Sequence, residues 1–339
     1  MKAQLSIHTE SLGRTYKIRN NKKEPLKELV ALKNINLDIN EGELFGVLGP
    51  NGAGKTTLIK ILTTLLAPST GSAFVSGFDV TKDAKEVRKR INMVSGGETS
   101  GYGLLTVREN LWMFSQFYGL NTNDANERII KLSEIMGFSD RLQTKIADLS
   151  TGLRQKMNII RGFLTDPAIL FLDEPTLGLD VGAAHDVRRF IKSWMKDDGK
   201  RSLLLTTHYM YEAEQLCDRV AIINQGTVIA CDTPKKLMRS ITTDVVYQIT
   251  VSRSSLLNQE PFNQVAGLVS FHQKLSKNEL ALEIILENDA VLPRIITEIT
   301  NQSGQILTLN KREATLEDVF VKLVGYRMEE AENAESGQS

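Results

Sequence analysis

Cysteine is nearly missing from this 339-residue chain: only Cys217 and Cys231 occur. Two thiols so few and so far apart make neither a disulfide framework nor a zinc site, and they read as a reduced packing pair. Long apolar runs are missing as well. None approaches the roughly 20 residues that span a bilayer, and the opening MKAQLSIHTE lacks the apolar centre of a secretory signal. An excess of charge of one sign is also lacking, because 41 basic residues balance 41 acidic ones. The chain as a whole therefore exerts no general pull on nucleic acid or anionic lipid, and nucleic acid is not an expected partner. What remains is a mixture of 41% hydrophobic and 24% charged residues. That is the make-up of a folded soluble protein with room for one large domain or two smaller ones.

Periodicity divides the chain. In LVALKNINLDI, Ile35, Leu37 and Ile39 alternate with Asn34, Asn36 and Asp38, the pattern of a half-exposed antiparallel strand. ELFGVLG reads as a short buried strand running into a glycine loop. TTLIKILTTLL then reads as a helix, with Leu58, Ile61, Leu62 and Leu65 on one face. From about residue 98 to 166 the chain is mostly helical. TVRENLWMFSQFYGL opens with a capping box of Thr106 and Glu109. A second helix aligns Ile129, Leu132 and Met136, and a third begins at STGLRQK with Ser150 as its N-cap. Buried strands return in AILFLDEP, SLLLTTH and RVAIINQG, separated by helices. Such alternation predicts an α/β fold with a largely parallel sheet.

TPKKLMRS reads as a closing helix with Thr233 as cap and Pro234 in its first position. Domain one is therefore expected to cover 1–239. Residues 240–326 mix strands (TDVVYQITVS, ELALEIIL, GQILTLN) with helices (AVLPRIITEIT, TLEDVFVKLVG) and predict a small α+β domain. The last 13 residues, 327–339, are acidic and apolar-poor, the composition of a disordered tail.

Three motifs carry chemistry. Gly49, Pro50, Asn51, Gly52, Ala53, Gly54, Lys55, Thr56 and Thr57 spell G-x-x-x-x-G-K-S/T between a strand and a helix. Glycine lets backbone N–H groups face phosphate oxygens, and the helix N-terminus adds partial positive charge. Lys55 is placed to reach the β- and γ-phosphates, and the Thr56 hydroxyl to ligate Mg²⁺. Ile169–Pro175 is a buried strand that delivers Asp173 and Glu174 at its C-terminal edge, where open α/β sheets bind ligands. Asp173 suits a Mg²⁺ ligand acting through water. Glu174 suits a base for the attacking water. LSTGLRQK offers a capped helix N-terminus, an anion site or an ordinary helix start. His208 ends a third strand, and the residues alone leave a structural and a catalytic role open.

Taken together, these residues resemble the ATP-binding subunit of an ABC transporter. Gly49–Thr57 matches the Walker A loop, Leu149–Gln155 a variant signature motif, and Ile169–Glu174 Walker B with its catalytic glutamate. Thr176–Asp180 matches the D-loop, His208 the switch histidine, and Tyr16 the aromatic that stacks on adenine. The match runs from about Leu5 to Lys236. The resemblance implies a P-loop NTPase fold with an antiparallel β subdomain and a helical subdomain. It also implies ATP and Mg²⁺ as cofactors and a second ATP-binding subunit facing the first head-to-tail. Ser150 and Gly152 would then touch the γ-phosphate held by the other subunit. ATLEDVFVKLVG and LTVRENLWMFSQFYGL resemble the drug-export branch, similar to daunorubicin-resistance ATPases. This implies a separate membrane permease and a location at the cytoplasmic face of the membrane. A soluble ABC ATPase acting on ribosomes or DNA is the alternative, but such proteins usually carry two cassettes or a long coiled coil. A module that binds ATP without hydrolysing it is a third reading, opposed by Glu174.

The chain departs from the family in three places. Thr151 stands where the commonest signature has glycine, which a negative φ would tolerate. A polar insert, KIRNNKKEPLKEL, separates Tyr16 from the second strand and reads as a solvated loop. The third departure is SGGETSGYG: where the family places a glutamine that contacts Mg²⁺, either alignment gives Gly96 or Gly97. Glu98 is the nearest candidate to replace it, in a loop expected to hinge against the permease.

Overall fold

Alternating apolar residues near the start build two long strands, β1 (Leu5–Ile18) and β2 (Lys27–Asn40), paired antiparallel. Ile35, Leu37 and Ile39 are buried, while Asn34, Asn36 and Asp38 are exposed, as the alternation requires. The structure is a computed structural model that describes residues 4–18, 27–95, 101–197, 199–240, 245–252, 255–276, 279–312 and 314–325. Its contacts divide the chain into two compact units, Met1–Cys231 and Asp232–Ser339.

In the first unit the elements follow as β3 (Leu44–Leu48), α1 (Lys55–Leu62), β4 (Thr70–Val75), β5 (Phe78–Asp79), α2 (Ala84–Arg88) and β6 (Ile91–Ser95). Then come α3 (Val107–Phe117), α4 (Thr122–Ile135), α5 (Thr151–Leu164) and β7 (Ile169–Asp173). The unit closes with α6 (Val181–Asp197), β8 (Ser202–Thr207), α7 (Met210–Leu216), β9 (Arg219–Asn224) and β10 (Thr227–Asp232). Two sheets result. One is antiparallel, in the order β2-β1-β4-β5. The other has the order β10-β9-β3-β8-β7-β6, and its β3, β6, β7, β8 and β9 run parallel. Its strands β3, β7 and β8 are buried along their whole length, which is why they read as unbroken apolar runs. Side chains of both sheets and of α1 form one core that includes Ile7, Leu37, Phe45, Leu58 and Phe171.

The helical segment lies between β6 and β7, with α3, α4 and α5 packed on one another. Its capping signals are realised: Thr106 and Glu109 close a capping box, and Ser150 caps α5. Helix α1 is shorter than its apolar spacing predicts. Thr64 turns left-handed at φ 64°, and Leu65 lies beyond the helix, exposed. The polar insert is only partly a loop, since Lys17 pairs with Glu28 and Ile18 with Lys27 in the β1–β2 ladder. Backbone pairing proceeds there without help from side-chain pattern.

The second unit contains α8 (Pro234–Ser240), β11 (Val245–Ser252), α9 (Glu260–Asn263), β12 (Leu268–Ser276), β13 (Glu279–Leu286), α10 (Leu292–Asn301), β14 (Gln305–Arg312) and α11 (Leu316–Val324). Its sheet has the order β12-β13-β11-β14, with Tyr247, Ile249, Ile284, Ile295 and Ile299 in the core. β12 escapes prediction because its side chains are mostly half-exposed and polar. The division at 231/232 precedes the expected one at 239/240, since α8 packs on α11 and belongs to the second unit. The acidic stretch 327–339 lies outside the described residues.

Gly162 lets α5 approach β6, for a Cβ there would run into Val94 Cγ2. Gly162→Ala should destabilise the first unit by about 1–3 kcal/mol through overpacking. Chemical denaturation followed by near-UV signal measures this, and an unshifted midpoint would contradict it.

Candidate functional site

Parallel strands deliver their C-terminal ends to one edge of the sheet, and the order β3-β8-β7 sets which loops meet there. The loop after β3 is Gly49–Gly54. Gly49 admits no side chain, since a Cβ would collide with the Ile223 carbonyl. Gly54 sits at φ +108°, where a Cβ would lie 2.6 Å from the Ala31 carbonyl oxygen. Both positions therefore need glycine. Ala53 is buried, Asn51 and Gly52 form the exposed tip, and Gly54 caps α1. Curled in this way, the loop forms a cradle at a helix N-terminus, the geometry that binds phosphate.

Lys55 is buried, and its ammonium is fully engaged. Nζ donates to the Gly49 carbonyl at 2.6 Å and to the Pro50 carbonyl at 3.2 Å, and pairs with Glu174 Oε1 at 3.3 Å. The other Glu174 oxygen, Oε2, accepts from His208 Nδ1 at 2.8 Å. The cluster thus joins residues following three adjacent strands. Burial pushes the Glu174 carboxyl up, but the His208 hydrogen bond and the Lys55 charge outweigh it and hold it below the ordinary glutamate value of 4.5. It is ionised at neutral pH and able to accept a proton.

Asp173, the last residue of β7, accepts hydrogen bonds from Thr56 Oγ1 at 3.0 Å and from Thr206 Oγ1. A hydroxyl and a carboxylate converging beside the cradle are hard oxygen donors of the kind that hold Mg²⁺, so the residues present fit that ion. Tyr16 reaches the same region from β1: its hydroxyl lies 3.4 Å from Thr57 Oγ1, and the Arg14 guanidinium lies over its ring.

Ser150 and Gly152 stand elsewhere, on the first turn of α5. The Ser150 hydroxyl accepts from the Leu153 N–H at 3.3 Å, and a Cβ on Gly152 would touch only Leu179 and Gly178 at 3.7 Å or more. Among the described residues, neither bonds to Gly49–Thr57. Thr151 is the first residue of α5 and has negative φ, so it replaces glycine there without strain. Gly96, Gly97 and Glu98 lie outside the described residues, and the expectation for that loop with them.

Two residues around the site, Thr206 and Glu212, escape sequence reasoning, and for Gln155 and Thr176 the motifs gave no partner. Thr206 holds Asp173 and, through its carbonyl and hydroxyl, the Glu174 N–H. Gln155 donates from Nε2 to the Pro175 carbonyl at 3.0 Å, and the Thr176 hydroxyl donates to Glu212 Oε2 at 3.2 Å. Burial pushes the Glu212 carboxyl up. These bonds brace a turn in which Glu174 adopts φ 51°, a left-handed conformation that costs of order 1–3 kcal/mol.

The lowered Glu174 value fixes the sign of a pH effect. Its pairing contributes stability above the unfolded value near 4.5 and loses it as pH falls through the lower folded value. The unfolding free energy of the protein should therefore drop more steeply below pH 4.5 than that of Glu174→Gln. Parallel curves from denaturant titrations would exclude the pairing as a source of acid lability.

Residues 32–177 match the ABC transporter family, and residues 233–324 match the family described as ATP-binding protein DrrA1-3-like, C-terminal domain. The chain is 38% identical over 227 residues to the ABC transporter ATP-binding protein NatA of Bacillus subtilis, covering 67% of this chain and 92% of NatA. It is 32% identical over 308 residues to the daunorubicin/doxorubicin resistance ATP-binding protein DrrA of Streptomyces peucetius, covering 91% and 92%. Among solved structures it resembles a dimeric ATP-binding cassette in a post-hydrolysis state bound to ADP and Pi. The TM-score is 0.60 at 25% identity, over 67% of this chain and 98% of that one. The chain therefore belongs to the ATP-binding proteins of ABC transporters, in the branch with a DrrA-type C-terminal domain, and is an ATPase.

Proposed function

We propose that this ATPase drives export through a separate membrane permease, by closing a head-to-tail dimer on two ATP molecules. The observation that carries the reading is the Lys55–Glu174–His208 cluster beside the phosphate cradle. A carboxylate braced by a histidine and kept ionised is suited to remove a proton from water. In the step assigned to it, the water oxygen bonds to the γ-phosphorus while its proton passes to Glu174. The bond from γ-phosphorus to the bridging oxygen breaks, and ADP leaves with the electron pair. Phosphates entering the cradle offer Lys55 a stronger partner than Glu174, and the carboxylate is then freed for the water. His208 keeps the carboxylate oriented.

Tyr16 is assigned to stack on adenine, and Gly49–Thr57 to wrap the phosphates. Thr56 and Asp173 would hold Mg²⁺, which neutralises charge on the β- and γ-oxygens when bound. Ser150 and Gly152 are assigned to the γ-phosphate of the partner's ATP. The capped N-terminus of α5 has its partial positive charge available for that anion. The second subunit is an identical chain or a close relative. Attachment to the permease holds the protein at the cytoplasmic face of the membrane. Exposed Tyr102, Leu104 and Phe117 give the helical segment apolar surface for such a partner. Among the described residues no helix is long and apolar enough to cross a membrane, in keeping with a permease on another chain. DrrA is named for daunorubicin and doxorubicin resistance, and other relatives of this chain for linearmycin resistance and Nod factor export. We assign this chain the same general role, the powering of export.

Glu174→Gln should retain ATP binding, accumulate an ATP-bound dimer on size exclusion and lose hydrolysis by about 10²–10⁴-fold. Normal turnover would remove Glu174 from the role of base. Lys55→Ala should weaken nucleotide binding itself, read by equilibrium binding of a fluorescent ATP analogue. Affinity purification from membranes should recover an apolar partner chain. Recovery in a ribosome pellet instead would favour the soluble alternative.

A further inference from the structure

Residues 174–176 are held from three sides by groups that no bond-making step requires. The turn leaves β7 with Glu174 left-handed at φ 51°, a conformation that persists only where its surroundings over-determine it. From β8, the Thr206 carbonyl and hydroxyl accept the Glu174 N–H at 3.1 and 3.3 Å. From α5, Gln155 Nε2 donates to the Pro175 carbonyl at 3.0 Å. From α7, Glu212 Oε2 accepts the Thr176 hydroxyl at 3.2 Å. Gln155, Thr176 and Glu212 are 5%, 7% and 2% exposed, so each is a polar group taken almost wholly out of water. Such burial is unfavourable unless the group is hydrogen-bonded, and the partner of each lies in or against this turn. Among the described residues, Glu212 Oε1 has no hydrogen-bond partner.

Each pin also leads to another part of the site. Gln155 stands one turn beyond Ser150 and Gly152 on the same helix, and rigid helices transmit displacement along their length. Glu212 stands four residues after His208, in the helix that His208 precedes.

We infer that Gln155 and Glu212 are positioning residues for hydrolysis, and that Gln155 links the signature end of α5 to the catalytic carboxylate of the same subunit. The inference rests on Glu174 being the base and on the head-to-tail dimer. In that dimer the N-terminus of α5 meets ATP held by the partner's cradle, while Glu174 acts on ATP in its own. The bond from Gln155 to Pro175 therefore connects the occupancy of one ATP site to the aim of the base in the other. The two sites become coupled through one buried amide, with no contact between the nucleotides.

The test uses the full chain and four single variants, with hydrolysis rate per bound ATP, ATP affinity and the Hill coefficient as readouts. Gln155→Glu keeps the side-chain size and loses the donor. Thr176→Val keeps the volume and loses the hydroxyl. Both should lower kcat by about 10–100-fold, the effect of a misaimed catalytic group, with ATP affinity unchanged. Gln155→Glu should also bring the Hill coefficient to one. Thr176→Ser, which keeps the donor, should recover most of the rate. Glu174→Gln is the reference: full turnover in it refutes the base, and the pins with it. Loss in Glu174→Gln beside normal kcat in Gln155→Glu and Thr176→Val overturns the pins alone. A fall in rate that only follows a fall in ATP-binding stoichiometry assigns the pins to folding and also overturns the inference.

Discussion

A buried ammonium group must be compensated from every side, and Lys55 is where this protein meets that demand. Removing one partner of such a group costs several kcal/mol, because the charge is left without water or counter-charge. The Gly49 and Pro50 carbonyls turn inward to it, and Glu174 is drawn to it across the sheet. The loop shape, the glycines that permit it and the position of the Glu174 carboxylate all centre on that group. Phosphate oxygens offer the same centre more charge than two carbonyls do, so the loop built around Lys55 is also the loop we assign to ATP.

The second constraint is the sheet. Its order places β8 between β3 and β7, so Thr206 lies within reach of Asp173 and of the Glu174 backbone. A left-handed glutamate is unfavourable in isolation. It persists here because β8, α5 and α7 each contribute a hydrogen bond to the turn. The strain and its bracing are one design: the turn aims the carboxylate back toward Lys55 instead of letting it follow the strand direction.

Much of this was legible in the residues. The strands β3, β7 and β8 are unbroken apolar runs, the helix caps at Thr106 and Ser150 are short-range signals, and GPNGAGKTT is contiguous. Other features were not. β12 has no apolar alternation because it is a half-exposed sheet edge, and α8 looked like the end of the first domain until its packing on α11 became visible. Leu65 kept helical spacing past the point where Thr64 turns the chain left-handed. Periodicity reports which face is apolar, but not where the backbone stops.

By itself, the sequence determined the glycine loop before α1 and the carboxylates at the end of β7, because each is written in adjacent residues whose spacing is local physics, and its motifs taken together carried the resemblance to the family. Only the tertiary structure decided which groups brace them. Thr206 meets Asp173 across 33 residues, Gln155 meets Pro175 across 20, and Thr176 meets Glu212 across 36. Nothing in MYEAEQLC says that Glu212 rather than Glu214 is the buried acid. That choice depends on how α7 lies against the core, and the partner of a buried polar group is fixed by packing, not by the order of residues along the chain.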